Sequence, residues 1–449
     1  MSSHPLPSRP RFRSPGGEHL HSPAKLHASH APAKVGMIGF GTVGSAVAKI
    51  LCEREPGRFA LTHVCSRSVD RGRAPWLPGE VRWTADADEV LGADVDIVVE
   101  LVGGLSPAED WIRRALLSGK SVVTANKQLI AHRGPELLEL AQKMGRHLAF
   151  GASVAGGVPV VSALQDGLAG DRLTRVRGIL NGTCNYILTQ IERAGVSFDP
   201  AVKEAQRLGF AEADPSEDLD GADAAAKLAI LARVGLQQQL RISDVYCRSI
   251  RDIEAVDFEY AHDLGATIRQ VSRAEVNEGN LFASVQPALV TMTSPLARVQ
   301  GSQNLVIATG EYGGDTVFSG FGAGGNPTAV AVVSDLAAIV KTNGASYAGS
   351  VSPAIPKSVS SDFVSRQYVR FTVKDRPGII AALAAVFADH EINIDSILQK
   401  PGYSKSALPF VIEFDACSAA ALENALEQIR PMDFLVQPPL SLPVLAEGA

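Results

Sequence analysis

Two lysines and a group of carboxylates are the residues of this sequence whose types and spacing favour chemistry. Asp223 and Lys227 are four residues apart in a run of Ala, Leu and Ile, which predicts that they share one face of a buried helix. Reduction of a carbonyl by hydride transfer leaves an alkoxide, which a lysine can protonate while a second cation stabilises the oxygen. The five histidines outside residues 1–33 have no recognisable catalytic context, so lysine is the better candidate for the proton.

A second lysine and an acidic stretch extend this pattern. Lys127 follows a predicted strand over residues 121–124, which places it at the carboxyl edge of a sheet, where open α/β folds bind ligands. Six carboxylates lie within residues 212–223. The residues alone leave three readings of this stretch open: a pocket for an amino group, a calcium loop without EF-hand spacing, and a solvated loop.

The elements that must position these groups begin with a dinucleotide-binding turn. Residues 34–40 predict a buried strand, residues 45–52 a helix and residues 61–65 a second strand, and Gly39, Gly41 and Gly44 between them fit G-x-G-x-x-G. In such a turn the first glycine makes the bend, the second admits a pyrophosphate and the third allows close packing. The alternative is a glycine-rich turn that binds no ligand.

The end of the second strand indicates which dinucleotide is preferred. No Asp or Glu stands there to hold a ribose hydroxyl. Arg67 occupies this position instead, and Arg71 and Arg73 follow it. Cations favour the 2′-phosphate, so we predict a preference for NADP(H) with NAD(H) as the alternative cofactor. The alternative is a solvated basic loop that binds no phosphate, which would have the same sequence pattern.

Composition excludes several functional classes. The net charge of −6 and the 6% aromatic content argue against a nucleic-acid binder, and no stretch of about 18 residues is apolar enough to cross a membrane. The five cysteines lack metal or redox spacing, which predicts reduced thiols in a cytoplasmic protein. Residues 1–33 predict a disordered tail, with a weak metal-binding tract or a transit peptide as alternatives.

At this point the ordered motifs resemble a family. Gly-x-Gly-x-x-Gly, Thr-Ala-Asn-Lys, Ala-Ser-Val-Ala-Gly-Gly, Asn-Gly-Thr-Cys-Asn-Tyr-Ile-Leu, Glu-Ala-Asp-Pro and Asp-x-x-x-Lys occur in the order found in homoserine dehydrogenases, over residues 34–345. The resemblance implies reduction of L-aspartate 4-semialdehyde to L-homoserine with NAD(P)H, on the route to threonine and methionine. Its rivals are a dehydrogenase acting on another small carbonyl and a catalytically dead sensor.

The resemblance also implies roles for individual residues. Lys227 is similar to the family's proton donor, and Lys127 to the lysine that contacts substrate and nicotinamide. The implied substrate residues are Glu212, Asp223, Asp218, Gly182 and Thr183. The implied cofactor residues are Gly39, Gly41, Thr42, Val43, Gly44, Arg67, Thr124, Lys127 and Gly324.

A loop of small residues at 151–159 is a candidate site for Na⁺ or K⁺. The carbonyls of Val154, Gly156 and Val158 could hold a monovalent cation, and the alternative is a close-packed turn. The family usually carries a glutamate ligand where this chain has Gly151.

The order β-α-β-β-α-β after residue 364 resembles an ACT domain. Its turn at residues 375–379 and Asn393 imply an amino-acid effector, threonine in this family, and the alternative is a dimerisation module that binds nothing. The implied effector residues are Asp375, Pro377, Gly378, Ile379 and Asn393.

The expected fold is α/β: a Rossmann-type dinucleotide-binding domain, an α+β substrate and dimerisation domain, and a ferredoxin-like ACT domain. The predicted ranges are a tail at 1–33, a Rossmann domain at 34–150 completed by about 320–345, a substrate domain at 151–319, a linker at 346–364 and the ACT domain at 365–449. The family, together with the hydrophobic segment after Thr328, implies a homodimer or homotetramer.

Overall fold

Two β-sheets organise the protein. The computed structural model describes residues 31–55, 57–67, 76–342 and 353–445. Most of the predicted tail, Arg71, Arg73 and residues 446–449 lie outside these ranges. No helix in the described ranges is long and apolar enough to cross a membrane.

The first sheet is the predicted dinucleotide-binding sheet. Its six strands are parallel in the order β3-β2-β1-β4-β5-β6, with β1 at its centre. Buried apolar side chains on β1, β4 and β5 explain why these strands lie inside the sheet. The elements are β1 Ala33–Ile38, α1 Thr42–Glu53, β2 Phe59–Cys65, β3 Arg82–Thr84, α2 Ala87–Gly92, β4 Ile97–Glu100, α3 Ala108–Leu117, β5 Ser121–Thr124, α4 Lys127–Lys143 and β6 Leu148–Ala149.

The middle of the chain builds helices on a largely antiparallel sheet. Helix α9 is apolar on almost every side and buried, as its sequence predicts, and it packs against α4 of the first unit. The elements are α5 Val160–Ser162, β7 Leu173–Ile179, α6 Gly182–Ala194, α7 Phe198–Arg207, α8 Ser216–Leu219, α9 Ala222–Gly235, β8 Tyr246–Cys247, α10 Ala255–Asp263, β9 Ala266–Asn277, β10 Asn280–Thr291, β11 Gln303–Gly310 and β12 Gly314–Phe321.

Helix α11, Gly325–Lys341, returns the chain to the first sheet and packs against α1. Its buried face belongs to the same apolar core as the side chains of β1 and α1. Intrachain packing therefore accounts for the buried residues of the hydrophobic segment after Thr328, while Val330 of the same helix is exposed.

The C-terminal elements follow the predicted β-α-β-β-α-β order and confirm the fold class. They are β13 Val359–Ser360, β14 Val364–Val373, α12 Ile379–Asp389, β15 Ile394–Leu398, β16 Leu408–Ser418, α13 Ala419–Ile429 and β17 Leu440–Leu445. Strand β17 pairs with both β14 and β10, so the ACT strands and the middle strands form one eleven-stranded sheet. The sequence does not predict that the middle strands and the ACT strands join in one sheet.

Part of the predicted linker is attached to the middle unit. The amide and carbonyl of Ala354 bond Gln237 and Gln239 at 2.8 Å each, and β13 pairs with β10. The described residues after 352 therefore do not form a free tether.

A buried polar junction holds the ACT domain on α10. Arg370 of β14 donates from Nε to Asp257 at 2.7 Å, from Nη1 to Glu254 at 2.9 Å and from Nη2 to the carbonyl of Asp252 at 2.9 Å. Tyr368 donates its hydroxyl to Asp257 at 2.9 Å.

Candidate active site

The glycine turn has the shape that a dinucleotide pyrophosphate requires. Gly39 has a φ of +109°, and a Cβ there would lie 2.9 Å from the backbone of Leu101. A Cβ on Gly44 would lie 2.2 Å from the carbonyl oxygen of Gly39, whereas Gly41 faces open space. Helix α1 starts directly after Gly41, so the amides of its first residues, Thr42 and Val43, are directed to that space.

A second helix N-terminus converges on this turn. Gly324 precedes α11 with a φ of +113°, and a Cβ on Gly325 would meet the side chain of Thr42 at 2.9 Å. Gly324 thus lies beside the glycine turn, although 280 residues separate them in sequence.

Arg67 lies just beyond β2, exposed, on the side of the turn where the adenosine ribose of a dinucleotide binds. The amide of Gly39 bonds the carbonyl of Cys65 at 2.9 Å, which ties the end of β2 to the turn. Arg71 and Arg73, the other predicted cations, lie outside the described residues.

A buried network fixes the start of α4 and with it Lys127. Asn126 caps this helix by accepting from the amide of Leu129 at 3.1 Å and donates to the carbonyl of Gly104 at 2.6 Å. Thr124 donates to the fully buried carboxylate of Glu100 at 2.7 Å. Because the hydroxyl of Thr124 is used inside the protein, a cofactor contact at this residue would have to come from its backbone.

Both predicted lysines meet on one carboxylate. Lys127 Nζ lies 2.5 Å from Asp223 Oδ1, and Lys227 Nζ donates to Asp223 Oδ2 at 2.7 Å. Lys227 also donates to the carbonyl of Leu180 at 2.8 Å, so two of its three ammonium protons are held and one remains. The predicted sharing of one helix face by Asp223 and Lys227 is confirmed.

The cluster's charges favour ionised groups. Burial opposes ionisation of Asp223, but Lys227 and Lys127 outweigh it and hold the pKa of that carboxyl well below its usual range. Burial likewise opposes the charge on Lys127, and the attraction of Asp223 overcomes it, so the pKa of Lys127 is raised. The site therefore presents two ammonium groups around one carboxylate.

Asn181 ties a second carboxylate to this cluster. Its side-chain amide donates to Asp218 at 2.6 Å and to Asp223 at 2.9 Å, while its oxygen caps α6 by accepting from the amide of Cys184. Burial, together with the nearby charge of Asp223, raises the pKa of Asp218, although the hydrogen bond from Asn181 opposes this.

The remaining predicted substrate residues have different surroundings. A Cβ on Gly182 would lie 2.7 Å from the carbonyl oxygen of Ser302, so close packing requires this glycine. Thr183 donates its hydroxyl to the carbonyl of Phe210 at 2.6 Å, which fixes the segment that leads to Glu212. Glu212 is exposed, and its carboxylate bonds no described residue. The structure does not bring Glu212 into the lysine cluster.

The predicted cation loop is tightly folded against the segment before α11. A Cβ on Gly156 would lie 2.6 Å from the carbonyl of Gly322, and the amide of Gly157 donates to Phe321 at 3.1 Å. Among the described residues no donor reaches the carbonyls of Val154 or Gly156, whereas Val158 accepts from Val160 at 2.7 Å. Two of the three predicted carbonyls are thus available to a cation.

Asp335 of α11 occupies the space beside Gly151. It accepts from the amide of Gly151 at 2.8 Å, and a Cβ at position 151 would lie 2.7 Å from its Oδ1. Burial raises the pKa of Asp335 to about 7, against the effect of hydrogen bonds from Gly151 and Ala152. A larger residue at 151 would have to displace this carboxyl group.

The predicted effector residues lie at opposite ends of the ACT sheet, since residues 375–379 follow the end of β14 that pairs with Leu408, whereas Asn393 lies beside Asp415. Gly378 has a φ of +93° and precedes α12, which begins at Ile379, and Asp375 lies 3.6 Å from Lys405. Asn393 donates to Asp415 at 2.5 Å. Pro377 lies in the exposed turn between Asp375 and Gly378.

Sequence reasoning missed three residues that organise the site: Glu100, Asn181 and Asp335. Asn181 carries a local signal, because Asn before a predicted helix is typical of an N-cap. Glu100 and Asp335 carry no local sequence signal, since their hydrogen-bond partners come from other elements.

Three comparisons with known proteins agree. Family models described as "Homoserine dehydrogenase, NAD binding domain", "Homoserine dehydrogenase" and "ACT domain" match residues 39–151, 159–337 and 367–431. A homoserine dehydrogenase of Synechocystis is 38% identical over 92% of this chain and 99% of its own length. The crystal structure of a homoserine dehydrogenase from Thiobacillus denitrificans superposes with a TM-score of 0.85, at 32% identity over 93% of this chain and 99% of that chain. A hyperthermophilic archaeal homoserine dehydrogenase in complex with NADPH has a TM-score of 0.59 and 27% identity, over 69% of this chain and 98% of its own.

Proposed function

The chain belongs to the homoserine dehydrogenase family, and we propose that Lys127, Asp223 and Lys227 form the catalytic centre of its reaction. The reaction interconverts L-homoserine and L-aspartate 4-semialdehyde with a nicotinamide dinucleotide. The observation that carries the proposal is the bridging of both lysines by Asp223, because it holds two cations around one reacting oxygen.

The bound dinucleotide supplies the hydride, and the chain's own groups handle the proton and the charge. Lys227 keeps one proton that no group of the described residues accepts, and it delivers this proton to the alkoxide oxygen. Lys127 stabilises the negative charge as it develops on that oxygen.

In this scheme Asp223 positions the two lysines and also faces the substrate. Its Oδ2 accepts from Lys227 and Asn181, whereas its Oδ1 accepts only from Lys127, so one lone pair of Oδ1 remains for the substrate's ammonium group. Asp218 and Glu212 are the further carboxylates for the ammonium group, and Gly182 and Thr183 shape the pocket by packing.

The experiment that tests the function is homoserine-dependent reduction of NADP⁺ by the purified full chain, with alternative hydroxy and amino alcohols as controls. Homoserine should give the highest kcat/KM. Comparable turnover of an alcohol without an amino group would contradict the assignment of Asp218 and Glu212.

Preference for NADP(H) over NAD(H) is supported by Arg67 at the end of β2 and by the NADPH in one solved relative. We expect Arg67→Gln to lower kcat/KM with NADP⁺ about tenfold, because one charge-assisted hydrogen bond is lost, and to leave kcat/KM with NAD⁺ unchanged. Arg82→Gln on β3, which breaks only an exposed pair with Glu89 of α2, is the matched control.

A monovalent cation at residues 151–159 is supported by the free carbonyls of Val154 and Gly156, with Val158 as a third ligand. Activity and thermal stability in Na⁺ or K⁺ should exceed those in a large organic cation. No difference between these salts would remove the proposal.

The ACT domain supports feedback inhibition by an amino acid, with threonine as the effector and residues 375–379 and Asn393 as its contacts. Addition of threonine to the homoserine assay tests this.

We also propose a homodimer or homotetramer located in the cytoplasm. Light scattering would test the oligomeric state, and cell fractionation would test the location.

A further inference from the structure

Two residues that disfavour helices lie side by side inside α4. Gly134 has a low helix propensity, and Pro135 has no amide hydrogen to donate to the carbonyl of Ala131, four residues earlier. The carbonyl of Ala131 therefore lacks its usual helical donor, and α4 needs a donor from another element at this place.

Arg233 of α9 supplies that donor. Its Nη1 donates to the carbonyl of Ile130 at 2.8 Å, and its Nη2 donates to the carbonyl of Ala131 at 3.3 Å. A Cβ on Gly134 would lie 2.4 Å from Nη1, so the absence of a side chain there lets the guanidinium lie against the backbone of α4. Gly134, Pro135 and Arg233 therefore act as one unit, although Arg233 is remote from the other two in sequence.

The charge of Arg233 is buried without an opposite charge beside it. The residue is 6% exposed, and within the described ranges it donates only to these two carbonyls and forms no salt bridge. Burial lowers the pKa of Arg233, against the effect of Glu136. A neutral side chain would avoid the desolvation of a charge, so packing alone does not explain a guanidinium at this position.

The contact between Arg233 and α4 lies close to the lysine cluster. Helix α4 begins at Lys127, one turn before Ile130, and α9 carries Asp223 in its first turn. The two helices that Arg233 joins thus carry the two partners of the Lys127–Asp223 ion pair. A shift of α4 against α9 would move Lys127 away from Asp223 and leave Lys227 in place, because Lys227 lies on α9 with Asp223.

We propose that Arg233 is a positioning residue, which fixes the first turns of α4 on α9 and thereby holds Lys127 against Asp223. It acts through Lys127 and not through contact with the substrate. Its effect on turnover rests on the proposed function, whereas its bonds to α4 do not.

Homoserine oxidation with NADP⁺ by the full chain tests the proposal in a double-mutant cycle. Arg233→Met should lower kcat about tenfold and leave the KM values for homoserine and NADP⁺ as in wild type, because Lys127 acts on the charge of the transition state. In the Lys127→Ala variant the same change should lower kcat less than about twofold, since its target is already absent. An equal fall in both backgrounds, or no fall in wild type, would overturn the proposal.

Arg58→Met is the matched control, because it also removes a guanidinium that donates to a helix carbonyl, that of Ala337 on α11 at 2.9 Å. This variant should keep the wild-type kcat. A normal kcat in Lys127→Ala alone would contradict the proposed function, whereas the comparison of the two backgrounds concerns Arg233, so the two failures are distinguishable.

Gly134→Ala provides a second variant, which decides if circular dichroism shows that Arg233→Met is misfolded. Alanine raises the helix propensity of α4, but its Cβ would push the guanidinium away from the carbonyl of Ile130. We expect kcat to fall about threefold or more in wild type and to stay unchanged in Lys127→Ala. An unchanged kcat of Gly134→Ala in the wild-type background would contradict the assignment.

Pro135→Ala tests what Arg233 compensates for. This change gives the carbonyl of Ala131 a donor within α4, so Arg233→Met should lower kcat by a smaller factor in Pro135→Ala than in wild type. An equal factor in the two backgrounds would contradict the role assigned to the carbonyl of Ala131.

Discussion

Asp223 of the lysine cluster and Asp257 of the ACT junction are both buried carboxylates bonded to cations, yet their surroundings shift their pKa values in opposite directions. Asp223 faces Lys127 and Lys227, and the two lysines lower its pKa despite burial. Asp257 is fully buried and faces one guanidinium, that of Arg370, so burial prevails and its pKa is raised.

The two clusters differ in how many hydrogen-bond donors of their cations are used inside the protein. All three guanidinium nitrogens of Arg370 donate inside the protein, to Asp257, Glu254 and the carbonyl of Asp252, and the side chain is buried, so a ligand in solution does not reach it. Lys227 retains one proton without an acceptor in the described part of the chain, and the side chain of Lys127 is about one-third exposed. The Arg370 cluster anchors two parts of the molecule, and the lysine cluster keeps the free proton that its proposed catalytic role requires.

The largest expected effect is on the free energy of unfolding, when the carboxylate that anchors the ACT domain is removed. Asp257→Ala leaves Arg370 buried without its carboxylate, which should lower the free energy of unfolding by about 3–5 kcal/mol. Urea unfolding measures this, with Asp389→Ala on the exposed side of α12 as control. The folded fraction should keep the wild-type KM for homoserine. A loss below about 1 kcal/mol would show that the junction does not hold the ACT domain.

Lys227→Ala should break the reacting cluster instead. We expect kcat for homoserine oxidation to fall at least about 100-fold, the lower range for a general acid–base group, with unfolding close to wild type. Lys227→Arg keeps the charge but cannot release a proton near neutral pH, so it should be as inactive as the alanine variant. The exposed Lys203→Ala on α7 is the control. Recovery of activity in Lys227→Arg would assign Lys227 to charge stabilisation alone.

How much could be predicted from sequence differs between the two clusters. The glycine turn and the pair Asp223–Lys227 follow from local rules, namely the positive φ of Gly39 and the helical spacing of four residues. The meeting of Lys127 with Asp223 depends on the packing of α4 against α9, which no local pattern encodes. The ACT junction was not predicted at all, because Asp257 and Arg370 are 113 residues apart and each looks like an ordinary surface charge in sequence.

The departures from expectation have the same origin. In sequence, Gly151 indicates a missing cation ligand, and only the fold reveals that Asp335 from α11 occupies that space. Apolar residues after Thr328 suggest an interface between subunits in sequence, and the fold reveals that most of them pack on α1 within the chain. A sequence pattern predicts that a face is buried without identifying what covers it.

Asp335 extends the comparison to a buried carboxyl group without a cation. Its pKa of about 7 in the folded protein lies above the value of about 4 in the unfolded chain. Stability from the protonated form is therefore present below about pH 4 and is lost as pH rises towards 7. Asp335→Asn should be stabilised over wild type by about 2 kcal/mol more at about pH 8 than at about pH 5, as measured by urea unfolding. Asp389→Asn is the control, and an equal gain at both pH values would contradict the raised pKa.

The smallest expected effect concerns an exposed pair at the same junction as Asp257. Lys400, which follows β15, lies 2.9 Å from Asp263 at the end of α10, and both side chains are partly exposed to water. Water and salt screen such a pair, so Asp263→Asn should cost at most about 1 kcal/mol at low salt and nothing measurable at about 1 M NaCl, where the screening length is about 3 Å. The Asp257→Ala loss should persist at both salt concentrations, because water does not reach that pair. If the two variants showed the same salt dependence, burial would not be what separates the anchor from the surface pair.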